Sequence, residues 1–149
     1  MFGRLKLVRN GEVVRFGDGL LANSATLQLY QEGGSRQFTG RVGDDGEFSW
    51  TLPAGTYHVE SIAFRVQDQL VKPETNFTFT VSPEHDASYL GTITLEATFD
   101  SGYLGVHGGV DRFTVWDDCA KDCARRLSQL GISDQASTSS LVRWQHSAQ

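Results

Sequence analysis

The chain has 149 residues and a mass of 16.4 kDa, the size of one ordinary domain. Hydrophobic residues make up 39% of the chain, which is enough to build a core and too much for a disordered protein. No stretch approaches the ~20 apolar residues that a transmembrane helix needs. The net charge of −5 argues against a partner that is a nucleic acid or an anionic membrane.

Alternation of apolar and polar residues, the pattern of half-buried strands, dominates the first half of the chain. Leu5 and Leu7 alternate with charged or polar neighbours. Asn10-Gly11 is a strong hairpin signal, because both central residues of such a turn need a positive φ. Further strands follow glycine-rich or Asp-Gly turns, within residues 25–30, 38–42 and 48–52.

The run 56–66 is long and changes phase. Its apolar residues first occupy odd positions and then even ones: Tyr57 and Val59, followed by Ile62, Phe64 and Val66. In a regular strand, the apolar side chains of the second half would face away from the core. They can face the core only if the strand contains one extra, unpaired residue. The sequence therefore predicts a β-bulge or a sharp bend near Glu60-Ser61.

Two more alternating runs lie further along the chain, at residues 77–81 and 89–99. In the second run, Tyr89, Ile93 and the other odd positions share one face, and the threonines share the other. Residues 101–109 are glycine-rich, which predicts a loop, and 112–116 form the last clear strand.

In residues 117–131 the apolar side chains recur every three or four positions, as they do on one face of an α-helix. An N-terminal cap from Asp117 or Asp118, a stripe of apolar side chains and a stop at Gly131 predict one helix. The stripe consists of Cys119, Cys123, Leu127 and Leu130. Residues 132–149 are predicted to be a loop and a C-terminal tail, in which 141–144 pack as a short terminal element.

The two cysteines, Cys119 and Cys123, lie four residues apart on one face of this helix. On a regular helix their Cβ atoms are ~5–6 Å apart, whereas a disulfide needs ~3.5–4.5 Å. We expect them to pack the helix onto a sheet. A local disulfide that distorts the helix and a pair of metal ligands stay open as alternatives.

These elements predict a single domain over residues 1–149 that is mainly β. An antiparallel sandwich of roughly seven to nine strands spans 3–116, and one C-terminal α-helix follows at 117–131. The predicted core consists of Leu27, Leu29, Phe48, Trp50, Leu52, Tyr57, Val59, Phe77, Phe79, Ile93, Leu95 and Phe99.

Local motifs resemble a known kind of β-sandwich. Residues 45–48 and 52–59 read D-G-E-F and L-P-A-G-T-Y-H-V, and residues 3–8 supply a strand before the Asn-Gly turn. Together they resemble the prealbumin-like, carboxypeptidase-regulatory-like modules, over roughly residues 3–99. The stretch Y-L-G-T-I-T-L at 89–95 is similar to one in small bacterial envelope lipoproteins that carry such a domain. The resemblance implies an immunoglobulin-like sandwich that is non-catalytic and lies in the periplasm or cell envelope.

Catalytic and metal-binding patterns are weak. His58 and Glu60 are two residues apart, so both side chains could lie on the same face of a strand and bind a metal ion. However, the predicted bulge falls at Glu60, and the sequence offers no evident third ligand. The sequence contains no G-x-S-x-G nucleophile elbow and no phosphate-binding glycine motif. We therefore predict no catalytic residue, no cofactor and no metal.

Aromatic residues provide the remaining candidate site. Trp116, Trp144 and Tyr103 form a candidate ligand face, with Tyr30 as a further member of an aromatic platform, whereas the phase of Trp50 places it in the core. Exposed aromatic side chains on a sandwich support binding of sugars or proteins.

The expected function is that of a non-enzymatic binding or structural module of the cell envelope, which acts through a surface patch or a sheet edge. Its partner would be another envelope protein. We expect membrane anchoring only if a lipidated leader has been removed. A carbohydrate-binding module is the first alternative, and a metal-binding protein or enzyme is the second.

Overall fold

A computed structural model of the chain describes residues 1–16, 25–66, 69–84, 87–102, 105–116, 119–132, 136–138 and 142–143. These residues contain twelve strands and one α-helix. In chain order they are β1 (Phe2–Arg9), β2 (Glu12–Val14), β3 (Thr26–Gln31), β4 (Gln37–Arg41), β5 (Glu47–Ser49), β6 (Gly55–Val66), β7 (Gln69–Val71), β8 (Glu74–Val81), β9 (Ala87–Gly102), β10 (Gly105–Trp116), α1 (Cys119–Gln129), β11 (Ala136–Thr138) and β12 (Val142–Arg143).

The strands form two sheets, which confirms the mainly β sandwich with a C-terminal helix. The first sheet has the order β10-β9-β1-β2, with β5 paired to β1 and β11 paired to β9. The second has the order β12-β8-β6-β3-β4, with β7 paired to β6. The described residues hold more strands than predicted because three strands of only two or three residues, β7, β11 and β12, lie in stretches predicted to be loop or tail. Such short strands show no sequence period.

The first sheet is antiparallel in most of its pairings but also contains parallel ones, which the sequence did not predict. Strand β9 runs parallel to β1, with Leu5 opposite Ile93 and Leu7 opposite Leu95, and it also runs parallel to β11. Parallel partners are joined by long connections and not by hairpin turns. The turn signals in the sequence therefore carry no information about this pairing.

The core lies between the two sheets. The predicted core side chains are buried there, except for Trp50 and Leu52, which are half-buried and pack against its margin. Leu5, Leu7, Ile62 and Phe64 are buried in the same cluster. At ~25 cal/mol per Å² of apolar surface, this burial is the main force that holds the sheets together.

The predicted bulge in β6 is present. The register of β6 against β8 shifts between Val59 and Ser61, and the shift against β3 falls between Gln28 and Leu29. Because the extra residue is absorbed there, Tyr57 and Ile62 are both fully buried despite their opposite parities.

A second bulge, which the sequence analysis missed, lies in β9. Gly91 has a φ of +87°, and the register against β1 shifts between Phe2 and Arg4. Leu90 and Ile93 both face the main core, whereas Tyr89 lies in a separate cluster with Phe2. The prediction that Tyr89 and Ile93 share a face is therefore wrong, because the bulge reverses the alternation.

The predicted loop at 101–109 is also wrong within the described residues. Strand β9 continues to Gly102 and β10 begins at Gly105, with these two glycines paired. Glycine here does not interrupt a strand but allows close approach of two backbones. A Cβ atom at Gly108 would lie 2.0 Å from the carbonyl oxygen of Thr98.

Helix α1 ends as predicted at Gly131, which has a φ of +68°. Its N–H donates to the Ser128 carbonyl at 3.2 Å, and the N–H of Ile132 donates to the Leu127 carbonyl at 3.0 Å, the two hydrogen bonds of a Schellman motif. Leu127 packs on the outer side of the first sheet, against the cluster that contains Phe2. The predicted caps, Asp117 and Asp118, lie outside the described residues.

The segment that follows α1 holds two short strands where the sequence analysis predicts mainly a loop and tail. Ala136–Thr138 pairs with β9, and Val142–Arg143 pairs with β8, within the stretch expected to pack as a terminal element. Serine and threonine suit strand edges as well as loops, so composition does not distinguish the two. In the described part of the chain, no helix combines the length and apolar character that crossing a bilayer requires.

Candidate functional site

Strand β10 forms the outer edge of the first sheet. Its residues pair with β9 from Gly105 opposite Gly102 to Trp116 opposite Thr92. Within the described residues no strand pairs with its other side. Twelve residues at about 3.3 Å each make this one of the longest edges on the sandwich.

The inner face of β10 holds the strand firmly on the core. Val110, Phe113 and Val115 are half-buried and pack against the core cluster. The ring of Phe113 meets that of Phe77 edge to face, with centroids 6.0 Å apart. The edge is therefore anchored from within, so a partner strand would meet a preformed template.

A bulge divides β10 into two halves. The register against β9 shifts between Val110 and Arg112, which leaves Asp111 as the extra residue. Asp111 accepts a hydrogen bond from the Thr98 hydroxyl at 2.6 Å, and Arg112 forms an ion pair with Glu96 at 2.6 Å. Bulges and charged side chains discourage unwanted pairing at an edge. The half before the bulge, Gly105 to Val110, has no such protection among its described features.

The glycines of this first half differ in their surroundings. Gly108 has a φ of +146° and lies against the backbone of Thr98, so it is needed for the close approach to β9. A Cβ atom at Gly109 would meet nothing within 4 Å. A side chain at Gly109 would therefore extend into open space from the face of the sheet.

None of the three side chains of the predicted ligand face is described in the structure. Trp116 is the last residue of β10, and its side chain lies outside the described part of the structure. Tyr103 and Trp144 are outside the described residues altogether. The aromatic face therefore stays a prediction.

The cysteines lie in the first turns of α1, as the helical stripe predicts. The backbone of Cys119 and Cys123 is described, but their side chains are not. Their packing against a sheet therefore stays a prediction, and so do the alternatives of a disulfide and of a metal-binding pair.

Two other aromatic residues have defined roles. Trp50 stacks on Phe48 with centroids 4.7 Å apart, and its indole N–H donates to the Arg41 carbonyl at 3.1 Å. Tyr30 lies on the outer face of the second sheet and stacks on His58 at 4.8 Å. Trp50 is thus a packing residue, whereas Tyr30 is 38% exposed.

His58 and Glu60, the two residues considered as metal ligands, each contact another side chain. His58 is stacked on Tyr30, and Glu60 accepts a hydrogen bond from Gln37 at 3.3 Å. In the described part of the chain, no group of three His, Cys, Asp or Glu side chains is placed to hold a metal ion.

A cluster of arginines around Glu47 was missed by the sequence analysis. The Glu47 carboxylate, 13% exposed, binds Arg4 at 2.8 Å, Arg125 at 3.2 Å, and Arg126. Arg126 also donates to the Phe48 carbonyl at 3.2 Å, and burial lowers the pKa of its guanidinium. Neither Arg125-Arg126 nor Glu47 belongs to a sequence pattern that predicts this contact. Their meeting depends on how α1 docks, which no local pattern encodes.

No protein-family model, no curated protein and no solved structure matches this chain.

Proposed function

We propose that the chain is a non-enzymatic binding module of the cell envelope that accepts an extended segment of a partner protein along β10. The observation that carries this proposal is the edge itself, twelve residues long and paired with β9 on one side, with no described strand on the other. An added strand would bond to the backbone groups of that free side. Main-chain hydrogen bonds would supply affinity, and side chains beside the edge would supply specificity.

The half of β10 before the bulge is the better docking segment. From Gly105 to Val110 the register against β9 runs without a shift, whereas Asp111 interrupts it. A partner segment of about six residues, roughly 20 Å long, would fit this half. A side chain introduced at Gly109 would not disturb the chain's own packing, so this position can carry a probe beside the docking segment.

Placement in the periplasm or cell envelope rests on a different observation. It comes from the resemblance of residues 45–59 and 89–95 to prealbumin-like modules of envelope lipoproteins. The partner we propose is accordingly another protein of the envelope. The fold leaves this placement open, because the same sandwich architecture serves many functions.

Site-specific photo-cross-linking tests the proposal. A benzoylphenylalanine is introduced at Gly109 in one variant and at Gly34 in the control. Gly34 lies in the turn between β3 and β4, where the nearest atom to an added Cβ, apart from its chain neighbours, is 3.5 Å away. In an envelope extract of the source organism, Gly109 should yield one discrete protein adduct that Gly34 does not. Mapping the adduct identifies the captured segment.

A synthetic peptide of that segment then decides whether it binds as a strand. It should slow amide hydrogen exchange in β10, and Gly109→Lys should weaken its binding at least tenfold while Gly34→Lys leaves binding unchanged. Equal adducts at both positions, or a peptide that binds without slowing exchange in β10, would refute docking at this edge.

The carbohydrate-binding alternative has one observation in its favour, the partly exposed Tyr30 stacked on His58. An aromatic ring on a polar sheet face can stack on a sugar. Titration with soluble peptidoglycan fragments, followed by NMR shifts of Tyr30, tests it. Saturable shifts that Tyr30→Ala abolishes would support this function, and their absence would remove it.

A further inference from the structure

A cleft opens on the outer side of the first sheet, apart from the segment 105–110 of β10. Its volume is about 440 Å³, and it lies between β2 and the turn that precedes β5. Arg4 and Lys6 of β1 line it together with Arg15, and Asp44 and Asp45 line it from the turn. This volume is within the range of ordinary small-molecule sites.

The cations of the cleft are not all neutralised by its carboxylates. Arg4 is bound to Glu47 at 2.8 Å. Neither Lys6 nor Arg15 forms an ion pair with any residue in the described ranges, although two aspartates line the same cleft. Asp45 already accepts a hydrogen bond from the Glu47 N–H at 2.9 Å. Two exposed cations therefore face the cleft without a carboxylate partner among the residues that the structure describes.

The wider surroundings add positive charge. Arg125 and Arg126 converge on the same Glu47 that binds Arg4, so among the described residues of the cleft and its neighbour Glu47 the cations outnumber the carboxylates. The chain as a whole carries a net charge of −5. A local excess of cations in an acidic protein favours an anionic ligand at that place.

The cleft also has an apolar wall. Val13 and Val14 line it, and Val13 is 62% exposed, one of the most exposed large apolar side chains among the described residues. A ligand that carries an anionic group beside a short apolar body would satisfy both kinds of lining.

We propose that this cleft binds a small organic anion, with its carboxylate or phosphate group between Lys6 and Arg15 and its apolar body against Val13. Charge-assisted hydrogen bonds from these two cations would hold the anionic group. The volume of about 440 Å³ is that of a small-molecule site, which favours a small molecule over a polymer. This site is independent of the edge at β10, so either proposal can fail without the other.

NMR titration of the full chain tests the site with defined probes. The probes are n-butyl phosphate, n-butyrate, inorganic phosphate and n-butylamine. The two organic anions should produce saturable shifts of the Val13 and Val14 methyl groups, and butylamine should produce none. The ratio of the two affinities tells whether phosphate or carboxylate is preferred, and weaker binding of inorganic phosphate measures the contribution of the apolar body. Binding should weaken as salt is raised, because the cleft is open to solvent.

Variants at three exposed positions should change the affinity for the anion in opposite directions. Lys6→Gln and Arg15→Gln should each weaken the preferred anion about tenfold. Asp44→Asn should tighten binding about threefold, because it removes a like charge from the cleft. Lys72→Gln and Arg41→Gln, matched charge removals outside the cleft, should leave the affinity unchanged. The absence of saturable shifts at about 50 mM probe, or affinities that Lys6→Gln, Arg15→Gln and Asp44→Asn all leave unchanged, would overturn the proposal.

Discussion

The carboxylate of Glu47 on β5 accepts a hydrogen bond from the guanidinium of Arg126 on α1, a residue 79 positions away in the sequence. This ion pair is largely buried, with 13% of the Glu47 side chain and 11% of the Arg126 side chain exposed. Together with Leu127, it fixes the helix on the outer side of the first sheet. Arg4 and Arg125 share the same carboxylate, so Glu47 links three elements.

Replacement of Glu47 by Gln should therefore destabilise the protein. The three guanidinium groups would lose their shared counter-charge, and Arg126 would remain as a buried cation. We expect a loss of roughly 2–4 kcal/mol in the free energy of unfolding, measured by urea denaturation.

The matched control for this change is Glu96→Gln. Glu96 pairs with Arg112, but their side chains are 36% and 66% exposed. Solvent screens such a pair, so the loss should be below about 1 kcal/mol. Equal losses in the two variants would contradict the role of Glu47 as a buried link.

Two adjacent glycines of β10 should respond differently to alanine. Gly108→Ala places a Cβ atom against the Thr98 carbonyl oxygen and strains a backbone with a φ of +146°, so we expect a loss of at least ~2 kcal/mol. Gly109→Ala enters open space and should change stability by less than about 1 kcal/mol. Thermal melting of both variants checks this, and similar melting temperatures would show that β10 does not approach β9 as described.

The phenol of Tyr57 provides a test based on pH. It is fully buried and donates a hydrogen bond to the Pro53 carbonyl at 2.7 Å. Burial raises the pKa of Tyr57 above its ordinary value of 10.0, against a smaller opposing effect of Arg36. Above pH 10 the unfolded chain loses this proton before the folded chain does. The stability that Tyr57 contributes is therefore present below pH 10 and is lost as the pH rises further.

Tyr57→Phe isolates this contribution. At pH 7 it should cost about 1 kcal/mol through the lost hydrogen bond. Its free energy of unfolding should then fall less steeply than that of the unchanged chain above pH 10. Parallel curves for the two proteins in that range would show that Tyr57 does not titrate differently on folding.

Much of the fold follows from local patterns. The phase change between Val59 and Ile62 predicted the bulge in β6, because a core face leaves no other way to bury both residues. Gly131 predicted the end of α1, because its positive φ completes a Schellman motif. These features succeed because a few neighbouring residues determine them.

Features that depend on distant parts of the chain could not be predicted in this way. Tyr89 was assigned to the wrong face because nothing in the alternation reveals that Gly91 absorbs a residue against β1. The glycines after residue 100 suggested a loop. They instead allow β9 and β10 to lie close together, and this proximity is a tertiary contact that the local sequence does not reveal. The cluster at Glu47 and the cleft beside Lys6 arise from docking of remote elements, so neither had a sequence signal.

Amide hydrogen exchange along β10, measured on the isolated chain at a concentration where it is monomeric, tests the central claim most directly. In an edge strand, amides that face β9 are protected, while alternate amides that face outward exchange much faster. Our account predicts this alternation between Gly105 and Val110. Continuous protection across those residues would mean that the edge is already covered, and would contradict the claim that it is open to a partner.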